Sequence, residues 1–197
     1  MISVVLPTVT GREGMLEQTI AAFKATAGQR VQFIVIRDRP TCGVAWNEGA
    51  LLASGDYLLL GADDLVPHAG WPETAITAAD DGVYPGPWIQ RPDGSTECCG
   101  TLGCGLLLSA DARDELPVVS SPVPFMRRSD WERIGPSLSA HYYSDDYLGY
   151  RARLAGLRVE LRRSYLFTHL DGTVGRARIV TRSASDRAMY AEAVTLL

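Results

Sequence analysis

Residues 57–67 read Tyr-Leu-Leu-Leu-Gly-Ala-Asp-Asp-Leu-Val-Pro, and this stretch decides how the rest of the chain is interpreted. Its first four residues predict a buried strand, and the turn that follows carries the adjacent carboxylates of Asp63 and Asp64. Pro67 is expected to stop any continuation. In an α/β protein, ligands bind at the carboxyl ends of the strands, and carboxylates there suit a hard divalent cation. An Asp side chain that merely caps the turn is the alternative.

The composition is that of an ordinary globular protein. The 197 residues are enough for one well-buried domain, with 46% hydrophobic and 21% charged residues. A net charge of -4 argues against a general binder of nucleic acid or of an anionic membrane. Lys24 is the only lysine, so the basic charge is nearly all arginine, which suits phosphate recognition. No secretory signal or membrane-spanning run is visible, and we therefore expect a cytoplasmic protein.

The four cysteines do not form a recognisable framework. Cys98, Cys99 and Cys104 follow a C-C-x4-C spacing, and Cys42 lies apart from them. This spacing is neither that of a C-x2-C zinc site nor that of a disulfide scaffold. We predict reduced thiols, with a metal site as the alternative, and the sequence indicates no role for the three clustered cysteines.

The first third of the chain alternates between strand and helix patterns. Continuous apolar runs predict strands, and apolar residues at helical spacing predict the helices between them. This alternation predicts parallel strands with right-handed crossovers and a crevice at their carboxyl ends. Asp38 and the Asp63–Asp64 pair all follow strands, so we expect them on the same rim. The predicted strands are 2–6, 31–36 and 57–60, and the predicted helices are 14–27 and 43–54.

The pattern changes after residue 67. Residues 83–88 and 91–94 carry turn chemistry, and Asp93-Gly94 is a hairpin signal. Residues 170–182 are predicted to be a mobile loop. We predict an α/β fold in a single domain of residues 1–197, with a mainly parallel central sheet and a small mixed or antiparallel second part. The other predicted helices are 71–79, 129–134, 145–155 and 185–197, and the other predicted strands are 102–108, 123–126, 158–161 and 165–169.

Other chemically versatile residues lie near predicted element ends. Asp145 and Asp146 begin a predicted helix, where the helix dipole favours a carboxylate that can act as a general base; helix capping is the alternative. His169 follows a strand and precedes a glycine-containing loop, so its neutral imidazole is a candidate metal ligand. The alternative is a histidine that is packed in the core or lies on the surface. Arg176 and Arg178 lie in the predicted loop. This loop is a candidate lid that folds over a diphosphate, because arginine donors complement phosphate oxygens; a solvated loop is the alternative.

Aromatic side chains are candidates for stacking on sugar faces, with core or surface packing as the alternative for each. They are Tyr84, Trp88 and Trp131. Trp88 is the best candidate for an acceptor site because it lies among turn residues.

The order of the motifs along the chain carries a resemblance. Residues 3–8 form a strand that ends in Pro-Thr, and residues 33–38 form a strand that ends in an acidic residue. An Asn-x-Gly helix and an Ala-x-Gly-Asp-Tyr turn precede the acidic stretch, and a later Asp-Asp, Leu-x-x-Arg, Gly and His series ends at His169. Together they resemble the family-2 glycosyltransferases, which have the GT-A fold, a Rossmann-type α/β/α sandwich.

This resemblance implies a role for individual residues. Asp64 and His169 correspond to ligands of Mn²⁺ or Mg²⁺ on the donor diphosphate, and Asp146, next to Asp145, corresponds to the base that deprotonates the acceptor hydroxyl. Residues 1–67 become the nucleotide-binding half and residues 80–182 the acceptor-side half. The implied nucleotide-sugar contacts are Pro7, Thr8, Arg12, Asp38, Asn47, Asp63, Arg176 and Arg178, and the acceptor candidates are Trp88 and Trp131.

The implied function is that of an inverting glycosyltransferase. It would move a sugar from a nucleotide-sugar donor, with a UDP-sugar as the first candidate, to a hydroxyl of a glycan, protein or small molecule. A non-catalytic nucleotide-sugar or carbohydrate-binding module on a degenerate GT-A fold is the alternative. A nucleotidyltransferase is a third class, but the loop after the first strand lacks the glycine- and basic-rich sequence that it should carry.

Three positions depart from the family pattern. Ala62 replaces the first Asp of Asp-x-Asp, so metal dependence is in question at this position. Thr10 replaces a common Asn, and Trp46 replaces an Arg that would contact phosphate. The sequence does not indicate the donor sugar, the acceptor, the linkage or the oligomeric state.

Overall fold

A computed structural model describes residues 1–28, 31–98, 121–170 and 179–196. In chain order the elements are β1 Ile2–Thr8, α1 Glu13–Thr26, β2 Val31–Arg37, α2 Cys42–Leu52, β3 Tyr57–Leu60, β4 Leu65–Pro67, α3 Trp71–Asp80, β5 Val83–Gln90, β6 Thr96–Cys98, β7 Phe125–Arg127, α4 Arg128–Ile134, α5 Ser144–Leu154, β8 Arg158–His169 and α6 Ile179–Thr195.

The first sheet has β1 near its centre, in the order β2-β1-β3-β7. The strands β2, β1 and β3 are parallel, and β7 is antiparallel at one edge. Alternate residues of β1 point to opposite faces. Val4 belongs to a core with Phe23 of α1, whereas Val5 belongs to a core with Trp46 of α2. The predicted mainly parallel sheet between helical layers is confirmed.

The second sheet has the order β4-β8-β5-β6. Strand β5 is parallel to β8, whereas β4 and β6 are antiparallel to their neighbours. The core that holds Trp71 of α3 includes Phe167 of β8, and the core that holds Leu148 of α5 includes Leu161 of the same strand. The predicted mixed second part is therefore confirmed, and β8 bridges both cores.

The turn prediction for residues 83–88 was wrong, because they belong to the eight-residue strand β5. Proline lacks the amide proton that a strand normally donates, and it is therefore tolerated where that side of the strand is unpaired. In the described part of the chain, Pro85 and Pro87 pair only with β8, since β6 reaches only Ile89 and Gln90.

Other element boundaries also differ from the predictions. The segments 158–161 and 165–169 form one strand, β8, which has a register shift opposite Pro87 and Trp88. A further short strand, β4, follows the acidic turn, and α6 begins at Ile179 within the predicted loop. The predicted strand 102–108 lies outside the described residues. None of the helices described is both long and apolar enough to cross a membrane.

Candidate active site

The acidic turn between β3 and β4 has a backbone that is held from several directions. The amide of Gly61 donates to the carbonyl of Val5 at 2.9 Å, and the indole of Trp46 donates to the carbonyl of Gly61 at 2.9 Å. On the far side of the turn, the amide of Leu170 donates to the carbonyl of Asp64 at 2.8 Å. Trp46 therefore supports the turn that carries the two carboxylates.

Asp63 is the buried member of the pair, with 5% exposure. Its carboxylate accepts a hydrogen bond from the hydroxyl of Thr8 at 2.6 Å and bonds from Arg12 at 2.9–3.1 Å. Its carbonyl accepts from the hydroxyl of Thr19 at 2.8 Å. Asp63 thus joins the acidic turn to β1 and α1. Thr8 and Arg12, both predicted nucleotide contacts, make these internal bonds, and their contacts with a nucleotide stay predictions.

Asp64 lies close to two basic groups. Its Oδ2 atom is 2.8 Å from Nη2 of Arg12 and 3.5 Å from Nε2 of His169. The other ring nitrogen of His169, Nδ1, is 3.0 Å from Oε2 of Glu97. Hydrogen bonding with Asp64 is the main cause that raises the pKa of His169 to about 9, and Glu97 contributes in the same direction against the opposing effect of burial.

The positions of Asp64 and His169 fit a divalent cation. Ligands about 2.1 Å from an octahedral ion lie about 3 Å from one another when they are adjacent, which is near the observed 3.5 Å. A carboxylate oxygen and an imidazole nitrogen suit Mn²⁺, and substrate phosphate commonly completes such a shell. The described residues contain no group of three or more His, Cys, Asp or Glu side chains arranged for a metal. Asp64 and His169 are therefore the described side chains whose spacing we compare with that of metal ligands.

Asp38 joins two loops on the same rim. Its carboxylate accepts from the backbone amide of Thr10 at 2.8 Å and from the Thr10 hydroxyl at 2.9 Å. These bonds hold the pKa of Asp38 below its ordinary value. Its own amide donates to the carbonyl of Thr8, and its φ of 56° lies in the left-handed region. Asp38 therefore lies beside the end of β1, next to the residues predicted to hold a nucleotide base, Pro7 and Thr8.

The second acidic pair lies in the first turn of α5, after Tyr143 in a left-handed conformation. Asp146 is 7% exposed, and Asp145 is half-buried. Burial raises the pKa of the Cys42 thiol above its usual value, and the negative charges of Asp145, Asp64 and Asp63 raise it further. Carboxylates of both acidic segments therefore act on the thiol at the start of α2.

The start of α5 is held against α2 by close contacts. The amide of Gly43 donates to the carbonyl of Ala140 at 2.9 Å, and a Cβ at this position would lie 1.8 Å from the carbonyl oxygen of Leu138. Asn47 exchanges two hydrogen bonds with the backbone of Ser137, at 2.8 and 2.9 Å. The Asn47 amide therefore has a structural role here, and its predicted nucleotide contact stays a prediction.

The aromatic candidates differ in exposure. Tyr84 is fully buried, so it has no face open for a sugar, and its hydroxyl has no hydrogen-bond partner among the described residues. Trp88 is half-buried, and the guanidinium carbon of Arg163 lies 4.5 Å from its ring centre. Trp131 packs closely on Gly135, where an added Cβ would lie 2.8 Å from the indole. Trp88 borders a small groove with Gln90 and Leu166.

Two predicted site residues lie outside the described part of the chain, and two contacts of the site were not predicted from the sequence. Arg176 and Arg178 lie outside the described residues. Glu97 was not selected, since its contact with His169 joins positions 72 residues apart and no local motif indicates it. The internal role of Arg12 was also missed, although a basic residue near two buried carboxylates is an expected counter-ion.

Comparison with known proteins reveals similarity in structure. No family model matches the sequence, and no curated protein matches it significantly. The crystal structure of GalNAc-T7 with UDP, GalNAc and Mn²⁺ superposes with a TM-score of 0.70 at 12% identity, covering 89% of this chain and 44% of that one. The crystal structure of S. aureus TarS gives 0.60 at 11% identity, with 86% and 36% covered.

This chain therefore spans less than half the length of either neighbour. At such low identity the similarity concerns the fold. The arrangement of two sheets and flanking helices is nevertheless shared over most of the chain. The protein has the α/β fold of GT-A-like glycosyltransferases.

Proposed function

We propose that the protein is an inverting glycosyltransferase that moves a sugar from a nucleotide-sugar donor to a hydroxyl acceptor. The observation that carries this proposal is the approach of Asp64 to His169, at 3.5 Å, in the turn that follows β3 of the first sheet. The fold shared with GalNAc-T7 supports the use of a nucleotide sugar, since that neighbour was crystallised with UDP, GalNAc and Mn²⁺.

In this proposal Asp64 and His169 hold a divalent cation, Mn²⁺ or Mg²⁺. When bound, such an ion stabilises the negative charge that develops on a departing nucleoside diphosphate. Asp63 has another task, because its carboxylate is occupied by Thr8 and Arg12. It fixes the turn so that the carboxylate of Asp64 is presented to the crevice.

Asp146 is the proposed general base. An ionised carboxylate at a helix N-terminus can accept the proton of an acceptor hydroxyl as that oxygen attacks the anomeric carbon. The carbon–oxygen bond to the diphosphate breaks on the opposite side of the sugar. A single displacement of this kind inverts the anomeric configuration. Asp145, the half-buried neighbour of Asp146, is the second candidate for this role.

The donor would lie along the ends of β1 and β2. Pro7, Thr8 and Asp38 form this part of the rim, and Asp38 lies beside Thr8 through a backbone hydrogen bond. UDP-sugars are the first donors to test because the family resemblance and the neighbour crystallised with UDP both favour them.

Two observations favour the alternative, a non-catalytic nucleotide-sugar or carbohydrate-binding module. Arg12 already places a positive charge 2.8 Å from Asp64, and the first Asp of the usual motif is replaced by Ala62. An acidic turn that is neutralised internally has less need for a metal ion. In that case nucleotide binding would be independent of metal, and no turnover would follow.

A screen of nucleotide sugars separates these functions. We expect diphosphate release from one donor with Mn²⁺, and its loss in EDTA. Asp64→Ala should abolish the effect of Mn²⁺ on nucleotide affinity, measured by calorimetry. Asp93→Ala is the matched control, because Asp93 lies in an exposed turn and contacts only Ser95 among the bonds described.

The outcomes of this screen are distinct. Metal-independent nucleotide binding without turnover on any donor would favour the binding module. Unchanged metal-dependent affinity in Asp64→Ala would show that the metal assignment is wrong.

A further inference from the structure

His169 lies between two carboxylates, one of which has no place in the resemblance. Its Nδ1 atom is 3.0 Å from Oε2 of Glu97, and its Nε2 atom is 3.5 Å from Oδ2 of Asp64. We propose that Glu97 is a positioning residue that orients the imidazole of His169, so that Nε2 is directed to Asp64 and the cation site between them. This inference rests on the metal site of the proposed function.

The two distances assign different tasks to the two carboxylates. The contact with Glu97 has the length of a normal hydrogen bond, whereas the contact with Asp64 is longer. A neutral imidazole donates from one nitrogen and offers a lone pair on the other. When Nδ1–H donates to Glu97, the lone pair is on Nε2, on the side of Asp64. A carboxylate in this position commonly fixes the ring of a metal-binding histidine and raises its basicity.

The strand order explains how Glu97 reaches His169. Strand β5 lies between β6, which carries Glu97, and β8, which carries His169. The β5–β8 ladder ends where Gln90 pairs with Thr168, one residue before His169. No residue of β5 is therefore paired opposite His169. Glu97 lies at the register shift of the β5–β6 ladder, between Cys98, which pairs with Ile89, and Thr96, which pairs with Gln90, and its side chain reaches His169 across β5.

The contact is sheltered from solvent. The side chains of Glu97 and His169 are 25% and 26% exposed, in contrast to exposed ion pairs such as Arg127–Asp80, at 44% and 45%. A partly sheltered hydrogen bond is less weakened by water and is better able to hold one ring orientation. On the opposite side of the ring, the backbone pairing of Leu65 with His169 fixes the distance to the acidic turn.

Glu97 is assigned to orientation and not to direct ligation. Its Oε2 atom is already engaged by Nδ1, and the described residues contain no set of three or more His, Cys, Asp or Glu side chains around one metal position. The cation therefore keeps Asp64 and His169 as its protein ligands, and Glu97 acts through His169.

The test measures Mn²⁺ affinity in the presence of UDP by electron paramagnetic resonance. We expect Glu97→Ala to weaken Mn²⁺ binding by about 10–100-fold, which is the usual effect of losing such a partner. Glu97→Gln should lose less Mn²⁺ affinity than Glu97→Ala, because the amide oxygen of the glutamine still accepts a hydrogen bond from Nδ1 of His169. Glu160→Gln is the matched control, since Glu160 is a partly buried acid of the same sheet that pairs with Arg162. Unfolding midpoints verify that each variant is folded.

A second readout does not require metal. In the metal-free protein above pH 9, nitrogen-15 NMR should show His169 mainly protonated on Nδ1, and Glu97→Ala should reduce that preference. If the wild-type protein binds Mn²⁺ and folded Glu97→Ala binds it equally well, the inference is overturned although the proposed function stands. If the wild-type protein binds no Mn²⁺, the proposed metal site fails, and the NMR result alone supports or overturns the role of Glu97.

Discussion

Arg12 and Asp64 form an ion pair at the place where the sequence predicts a metal ligand. Nη2 of Arg12 lies 2.8 Å from Oδ2 of Asp64, and the same guanidinium contacts Asp63 at 2.9 Å. The side chains of all three residues are at least four-fifths buried. In the metal-free protein, the arginine of the β1–α1 loop therefore neutralises the acidic turn, and its removal tests how much the turn depends on this charge.

We expect Arg12→Ala to lower the free energy of unfolding by about 1–3 kcal/mol, because two sheltered carboxylates lose their counter-ion. Urea denaturation without metal measures the change. Arg39→Ala is the control, since the pair between Arg39 and Glu48 is exposed and should contribute much less to stability. Equal losses in the two variants would contradict the proposed role of Arg12.

Trp46→Phe should remove one hydrogen bond that holds the acidic turn, while an aromatic ring still fills most of the space in the core. The phenyl ring keeps an apolar group in place, but the hydrogen bond to the carbonyl of Gly61 is lost. We expect a destabilisation of about 1–2 kcal/mol and weaker Mn²⁺ binding in the presence of UDP. Trp71→Phe loses a bond to Thr26 of α1 and is the control. It should lose stability while keeping its Mn²⁺ affinity, and a parallel loss of affinity would contradict this prediction.

Asp146→Asn should separate donor binding from transfer. We expect kcat to fall by about 10²–10⁴-fold, the usual contribution of a general base, while the affinity for the donor nucleotide is unchanged. Product formation and calorimetric binding are the two measurements. Asp145→Asn, its neighbour in the first turn of α5, is the control. A larger loss of kcat in Asp145→Asn would assign the base to Asp145.

The raised pKa of His169 should make the stability of the metal-free protein depend on pH. Its pKa is raised from 6.5 to about 9, chiefly through Asp64 and then Glu97, so the folded state binds the proton more tightly than the unfolded chain does. The stabilisation is therefore complete below about pH 6.5 and is lost as the pH rises through about 9. The stabilisation amounts to no more than about 3.4 kcal/mol.

Urea denaturation in EDTA between pH 6 and 10 measures this dependence. His169→Asn should flatten it in that range, whereas His68→Asn should not, because the neighbours of His68 are the hydroxyl of Thr168 and the amide of Gln90. An unchanged pH dependence in folded His169→Asn would contradict the prediction.

Trp88 and Trp131 should respond differently to replacement. Trp88 is half-buried beside a groove, so we expect Trp88→Ala to raise the KM for the acceptor about tenfold or more with little change in donor affinity. Trp131 packs on Gly135, so Trp131→Ala should instead destabilise the fold by about 2–4 kcal/mol. An unchanged acceptor KM in Trp88→Ala would remove Trp88 from the acceptor site.

Local sequence patterns were sufficient for the three parallel strands of the first sheet. The apolar runs of β1 and β3 are mostly buried and that of β2 is partly buried, and all three are β-branched or leucine-rich, so local preference there agrees with the tertiary structure. The same reasoning placed Asp38 and the Asp63–Asp64 pair on one rim, because the ends of parallel strands share an edge. In β5, however, Pro85 and Pro87 favoured a turn, and only the pairing with β8 reveals that a strand tolerates them.

Contacts between distant residues were not accessible from local patterns. Glu97 contacts His169 across 72 positions, and Arg12 reaches the acidic turn across about fifty. Such pairs depend on which strands become neighbours and where a ladder ends. The different roles of Asp63 and Asp64 also depend on distant contacts, because only the positions of Thr8 and Arg12 show that Asp63 is internally bonded.

The contacts between α2 and residues 137–140 have a consequence for the order in which the chain becomes structured. Asn47 binds Ser137 across 90 positions, and β3 pairs with β7, whose residues are 66–70 positions away in sequence. Closing such long loops is slow, and its entropy cost is offset only when both ends are present and form their contacts. During synthesis, the amino-terminal strands would therefore leave the ribosome well before their final partners exist. A fragment of residues 1–67 should not fold stably by itself.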